Sequence, residues 1–171
     1  MDQCLSLDLI HNPSRLGADA WDHLGHPFEL KTTSKGSVST ARDLSLKTLD
    51  TYATRYWVVT RGKNFADGFH SEATYFLAPE HMEGWYAKIR SRFEGDLALI
   101  AKVMPLVEHA LSPNEIDHLK RLLDKGMKLN DPNIPWGYIK QNGIEITDNP
   151  AETLKELVNR FPLDWASVNH Q

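Results

Sequence analysis

At 171 residues, with 41% hydrophobic and 25% charged, the chain suits one globular domain with a substantial core and is too short for two. Apolar runs such as 97–101 are far below membrane-span length, and the N-terminus lacks a basic signal-peptide flank, so a cytoplasmic protein with no membrane partner is expected. A lone cysteine, Cys4, excludes an intramolecular disulfide and a thiolate-cluster metal centre, and a net charge of −4 argues against nonspecific coating of nucleic acid.

Taken in chain order, the first 27 residues are extended and broken by turn residues at Asn12-Pro13, Gly17, Gly25 and His26-Pro27. Residues 28–32 alternate apolar and charged side chains, which predicts a short strand, and the hydroxyl-rich stretch 33–39 predicts a loop. A short helix over 44–52 would present Leu46 and Leu49. Residues 56–60 predict a strand ended by Gly62, and 72–77 a second one, after which Pro79 opens a helix to about residue 92.

The middle of the chain turns helical. Residues 96–111 are apolar at helical spacing, with a bend or restart expected at Pro105. Ser112-Pro113-Asn114-Glu115 is a capping box with proline at the first helical position. The helix it starts would bury Ile116, Leu119, Leu122 and Leu123 and stop at Gly126. An extended loop is expected over 130–135. The Gln141-Asn142-Gly143 turn then predicts a hairpin joining 136–140 to 144–147, before a last helix from Asn149-Pro150 to about residue 160. The fold class is therefore α/β in the broad sense (α+β), a mixed β-sheet flanked by helices.

Alternate residues of a strand point to one face, so Glu29 and Lys31 sit side by side while Leu30 faces the opposite way. The turn at Gly25-His26-Pro27 lets Asp19 fold back beside them. Two converging carboxylates repel unless a cation joins them, and magnesium suits such oxygen ligands while keeping waters for phosphate chemistry. Charge distribution points the same way: residues 1–30 balance at −4 and residues 31–63 at +5. A triplet of this kind also arises by chance in many proteins. His23 and His26 flank it three residues apart, but no third nitrogen or sulfur ligand lies at an informative spacing, so loop histidines are expected. The five tryptophans are expected in the core.

A longer pattern surrounds the triplet. Gly17-Ala18-Asp19-Ala20-Trp21-Asp22 and Phe28-Glu29-Leu30-Lys31 are followed by Lys35-Gly36, Ser39-Thr40, Tyr52, Trp57 and Arg61-Gly62. The string Asn130-Asp131-Pro132-Asn133-Ile134-Pro135-Trp136-Gly137-Tyr138-Ile139 comes late. In order and approximate spacing this resembles the PD-(D/E)XK nuclease superfamily and, within it, the PvuII type II restriction endonucleases, across 17–93 and 127–147.

The resemblance implies a restriction-endonuclease-like core in one endonuclease domain spanning 1–171. It further implies magnesium-dependent hydrolysis of double-stranded DNA at a short, palindromic site by a homodimer, within a prokaryotic restriction–modification system that includes a cognate DNA methyltransferase. Asp19 and Glu29 match the metal-binding carboxylates, Lys31 the catalytic lysine and Tyr52 an auxiliary active-site tyrosine. Lys35, Ser39, Thr40, Arg42, Asn130 and Asp131 match or adjoin the segments that meet DNA.

Departures are equally specific. Ala41-Arg42-Asp43 stands where the relative has three histidines, so a different recognition site is expected. Arg42 would bond guanine O6 and N7 or clamp a phosphate. Asp131 replaces an asparagine; it would accept from cytosine N4 or simply close an Asx-type turn. Only eighteen residues precede Asp19, and a helical hairpin over about 94–126 and a helical extension over about 149–171 have no counterpart, which suggests that dimerisation has moved. A structure-specific or repair nuclease, or an inactive DNA-binding module, are the competing expectations.

Overall fold

The computed structural model describes residues 3–14 and 17–164. The part of the expected C-terminal extension beyond 164 lies outside the described residues. In chain order the elements are α1 (Gln3–Ser6), β1 (Ile10–His11), β2 (Ala20–Trp21), β3 (Pro27–Thr33), β4 (Ser37–Ser39), β5 (Asp43–Leu44), α2 (Leu46–Tyr52), β6 (Tyr56–Phe65) and β7 (Gly68–Leu77). There follow α3 (Pro79–Ser91), α4 (Glu94–Glu108), α5 (Pro113–Gly126), β8 (Leu129–Asn130), β9 (Asn133–Pro135), α6 (Trp136–Asn142), β10 (Ile144–Ile146) and α7 (Pro150–Arg160).

Six strands form one mixed sheet in the order β1-β2-β3-β6-β7-β10, antiparallel except where β3 runs parallel to β6. Strand alternation splits it into two buried faces. On one, Trp57, Val59, Tyr75 and Leu77 pack against Leu49 and Tyr52 of α2 and against Met82, Trp85, Tyr86 and Ile89 of α3. On the other, Phe28, Tyr56, Val58 and Phe76 pack against Cys4 of α1 and Leu154, Leu157 and Val158 of α7. Burial on both faces explains why 56–60 reads as an unbroken apolar run rather than as alternation. Polar atoms in these cores are paired: Trp57 Nε1 donates to the Tyr86 hydroxyl (3.0 Å), which donates to the Tyr52 carbonyl (2.8 Å).

Several sequence expectations are corrected. β6 does not stop at Gly62 but runs on to Phe65 through an irregularity at Arg61/Gly62. Glycine is required there, because a Cβ would stand 2.1 Å from the His70 carbonyl oxygen. The expected hairpin over 136–147 is absent: 136–142 is α6, and β10 pairs with β7 instead. The buried side chains Trp136 and Ile139 lie one helical step apart, and that spacing outweighed the turn signal of Asn142-Gly143.

The loops expected at 33–39 and 130–135 contain strands. β4 pairs with β9, and β5 with β8, in two small ladders that join segments about ninety residues apart in the chain. Finally, α5 buries none of its apolar residues fully: Ile116, Leu119 and Leu123 are half-buried and Leu122 is exposed. α4 likewise buries nothing, and it continues through Pro105.

Candidate active site

The parallel register of β3 on β6 sets Glu29 opposite Trp57 and Lys31 opposite Val59. Both therefore project from the sheet face that carries α2, at the margin of the Trp57 core. Asp19 lies just before β2, and its segment is laid antiparallel along β3, with the Asp19 N–H donating to the Phe28 carbonyl (2.9 Å). The Leu30 N–H donates to Asp19 Oδ2 (2.8 Å), which fixes the carboxylate against the strand.

The three expected residues converge. Lys31 Nζ is 2.6 Å from Glu29 Oε1 and 3.5 Å from Asp19 Oδ2. Glu29 is buried, at 3% exposure, whereas Asp19 is half-exposed and borders a cleft of about 440 Å³ lined also by Lys31, His11, Asn12 and Ser14. A carboxylate buried to that degree needs a cation beside it. Tyr52, at the end of α2, lies under this cluster, edge-on to Trp57 at 5.0 Å between ring centroids. Burial, and then the charge of Glu29, hold its phenol well above the usual range, so it stays an O–H donor.

Asp19 and Glu29 supply oxygen donors from both sides of one ammonium position, one buried and one open to the cleft. That donor set fits a hard divalent cation, which takes one or two carboxylates and completes its shell with water. Among the described residues no group of three or more His, Cys, Asp and Glu gathers anywhere, this site included, so the chain offers two carboxylates here and water would have to complete the shell. The flanking histidines do not converge: His26 Nδ1 pairs with Asp22 Oδ2 (2.6 Å), and His23 Nε2 lies 3.3 Å from Asp8 Oδ1. Trp57, Trp85 and Trp136 are buried as expected, Trp21 is only half-buried on the short strand β2, and Trp165 lies outside the described residues.

The second set of expected residues gathers around the two small ladders. Ser39 pairs with Asn133 in β4–β9, and Asp43 with Asn130 in β5–β8. Between them the Asp131 N–H donates to the Arg42 carbonyl (2.7 Å), and Thr40 Oγ1 donates to the Pro132 carbonyl (2.7 Å). Ser39 Oγ is 3.1 Å from Asp131 Oδ2 and 3.2 Å from Asn133 Oδ1. Arg42, Asn130 and Asp131 are exposed, and Asp131 has a left-handed φ of 38°. Lys35 stands apart, exposed in the turn between β3 and β4. The Asp131 carboxylate thus has an internal donor, Ser39, which the sequence did not reveal.

Arg55 was missed. It is buried, at 9% exposure, and its Nη1 donates to Glu29 Oε2 (2.9 Å) and to the Gly17 carbonyl (2.9 Å). The signal was parity: Arg55 stands one residue before β6, the strand parallel to β3, and two before Trp57, which registers with Glu29. Only the unanticipated β3–β6 pairing gives that parity a meaning.

A search of curated proteins gave no match. A family model described as restriction endonuclease PvuII matches residues 1–102, which include Asp19, Glu29, Lys31, Tyr52 and Arg55. The match extends over more than half of the chain, and with it the protein belongs to the PvuII family of type II restriction endonucleases.

Proposed function

We propose that this protein is a magnesium-dependent, site-specific endonuclease that hydrolyses phosphodiester bonds in double-stranded DNA at a short palindromic site. The observation that carries the reading is the convergence of Asp19 and Glu29 on Lys31 within 3.5 Å, in a chain of a restriction-endonuclease family. Restriction endonucleases generally use divalent metal ions; magnesium held by Asp19 and Glu29 would polarise a phosphoryl oxygen and acidify a bound water. Lys31 would orient the attacking water and offset charge growing on the phosphate. The Leu30 N–H holds Asp19 in place, and Tyr52 acts as an auxiliary donor beneath Glu29.

Sequence readout is assigned to the ladder region. Arg42 is free to enter a groove and contact guanine, with Asn130 beside it, while Ser39, Thr40 and Asp131 shape the segment that carries them. Lys35 is assigned to phosphate. The whole chain is proposed to act as one domain, in the cytoplasm of a prokaryote, alongside a cognate methyltransferase that protects host DNA. No helix among the described residues is long and apolar enough to cross a membrane.

Cutting both strands of a palindrome calls for two copies. The apolar face offered to the second copy is that of α4 and α5, where Leu97, Leu99, Val103, Leu106 and Leu122 are exposed. Leu99→Glu with Leu106→Glu should shift the mass in solution from dimer to monomer; an unchanged dimer would remove this face from the interface.

The deciding measurement is magnesium-dependent cleavage of plasmid DNA. Discrete bands are expected. Smearing would mark a nonspecific nuclease, and binding without cleavage would mark an inactive DNA-binding module.

A further inference from the structure

Glu29 meets two cations, and they are not equivalent. Lys31 approaches Oε1 from the cleft side and also reaches Asp19, the second expected metal ligand. Arg55 approaches Oε2 from the core, where its guanidinium lies 5.9 Å from the centre of the Tyr52 ring. The same Nη1 bonds the carbonyl of Gly17, two residues before Asp19, in a segment turned by the positive φ (96°) of Gly17. One nitrogen therefore ties the strand carrying Glu29 to the loop carrying Asp19.

We infer that Arg55 is a positioning residue for the metal site: it fixes Glu29 through Oε2, leaves Oε1 as the ligand atom, and sets the distance between the two carboxylates. The inference rests on the metal-site reading of Asp19 and Glu29. Charge alone would not accomplish this, because Lys31 already supplies a cation to Glu29. What Arg55 adds is a rigid planar group held by buried aromatic surface and bonded to two acceptors at once. A lysine at this position would keep the charge but lose the planar group that lies beside the Tyr52 ring, and with it the fixed direction of the two bonds.

The test is metal affinity, measured by calorimetry with Ca²⁺ and by Mn²⁺ spin resonance on the full chain, well below each variant's melting temperature. Arg55→Met should weaken binding about ten- to a hundredfold, and Arg55→Lys should recover only part of it. The Mn²⁺ signal of either variant should broaden as the carboxylate geometry loosens. A folded Arg55→Met or Arg55→Lys variant that binds metal as wild type does, with only its melting temperature lowered, would reduce Arg55 to a structural ion pair and overturn the inference. Glu29→Gln separates the two levels of the claim. Wild-type affinity in Glu29→Gln would sink the metal-site reading and the inference with it, whereas loss in Glu29→Gln with none in Arg55→Met would sink the inference alone.

Discussion

The stretch up to Phe93 and the helix pair that follows it obey different rules. In the first, residues 56–60 of β6 and 75–77 of β7 are buried on both faces, and Trp57, Tyr56, Phe28 and Phe76 are wholly enclosed. In the second, α4 and α5 contain no buried residue. Their half-buried positions, Ile100, Met104 and Val107 on one helix and Ile116, Leu119 and Leu123 on the other, form a single stripe each, while several leucines remain outside it. A stripe without a core under it contributes little to the fold of the sheet. The site lies wholly in the first region, so its geometry does not depend on the helix pair.

That contrast can be broken or sharpened by measurement. The largest effect belongs to the site: Glu29→Ala and Lys31→Ala are each expected to slow DNA cleavage roughly a thousandfold or more while leaving DNA binding nearly unchanged. Retained cutting in either variant would remove the site assignment. Next comes the core, where Trp57→Ala should destabilise the fold by about 3–5 kcal/mol in urea unfolding. The ladder region follows: Arg42→Ala should lower discrimination between cognate and altered sites by about 1–3 kcal/mol, and a uniform loss of affinity across sequences would instead mark a phosphate contact.

A smaller effect is expected from acid. His81 Nδ1 accepts the Ala78 N–H at the start of α3, and its ring packs on Phe161 at 4.7 Å. Burial depresses its pKa below the ordinary value near 6.5, so the unfolded chain takes up the proton more readily. The stability it contributes is complete above that ordinary value and is lost as pH falls through the depressed one. The melting temperature should therefore fall on acidification, with a gentler slope in His81→Asn. Smallest of all, Leu106→Ala on the exposed face of α4 should alter monomer stability by no more than about 0.5 kcal/mol. A cost of several kcal/mol would mean that Leu106 is packed within the folded monomer, and would count against an exposed face offered to a second copy.

Much of this was legible in the sequence, for local reasons. The period of two places Glu29 beside Lys31, and the Ser112 to Glu115 capping box, with Ser112 N–H donating to Glu115 Oε2 at 2.9 Å, starts α5 where expected. What failed was non-local. The β4–β9 and β5–β8 ladders join residues some ninety positions apart, and no local pattern in 33–39 or 130–135 encodes that partner. Arg55 went unnoticed because its meaning depends on which strand lies next to β3. The apolar stripe of α5 read as core because spacing reports which residues share a face, not what covers it. At 136–142 two local signals conflicted, and burial of Trp136 and Ile139 decided between them.

The bond between Ser39 and Asp131 carries a consequence for how such an enzyme could change what it reads. Two stretches far apart in the gene meet in one hydrogen bond, beside the backbone link from Asp131 to Arg42. A new side chain at either position leaves the other with a mismatched neighbour, so useful changes would come in pairs. Drift in preference would then proceed by compensated double steps, and a combinatorial library that varies 39 and 131 together would find working variants that single-site libraries miss.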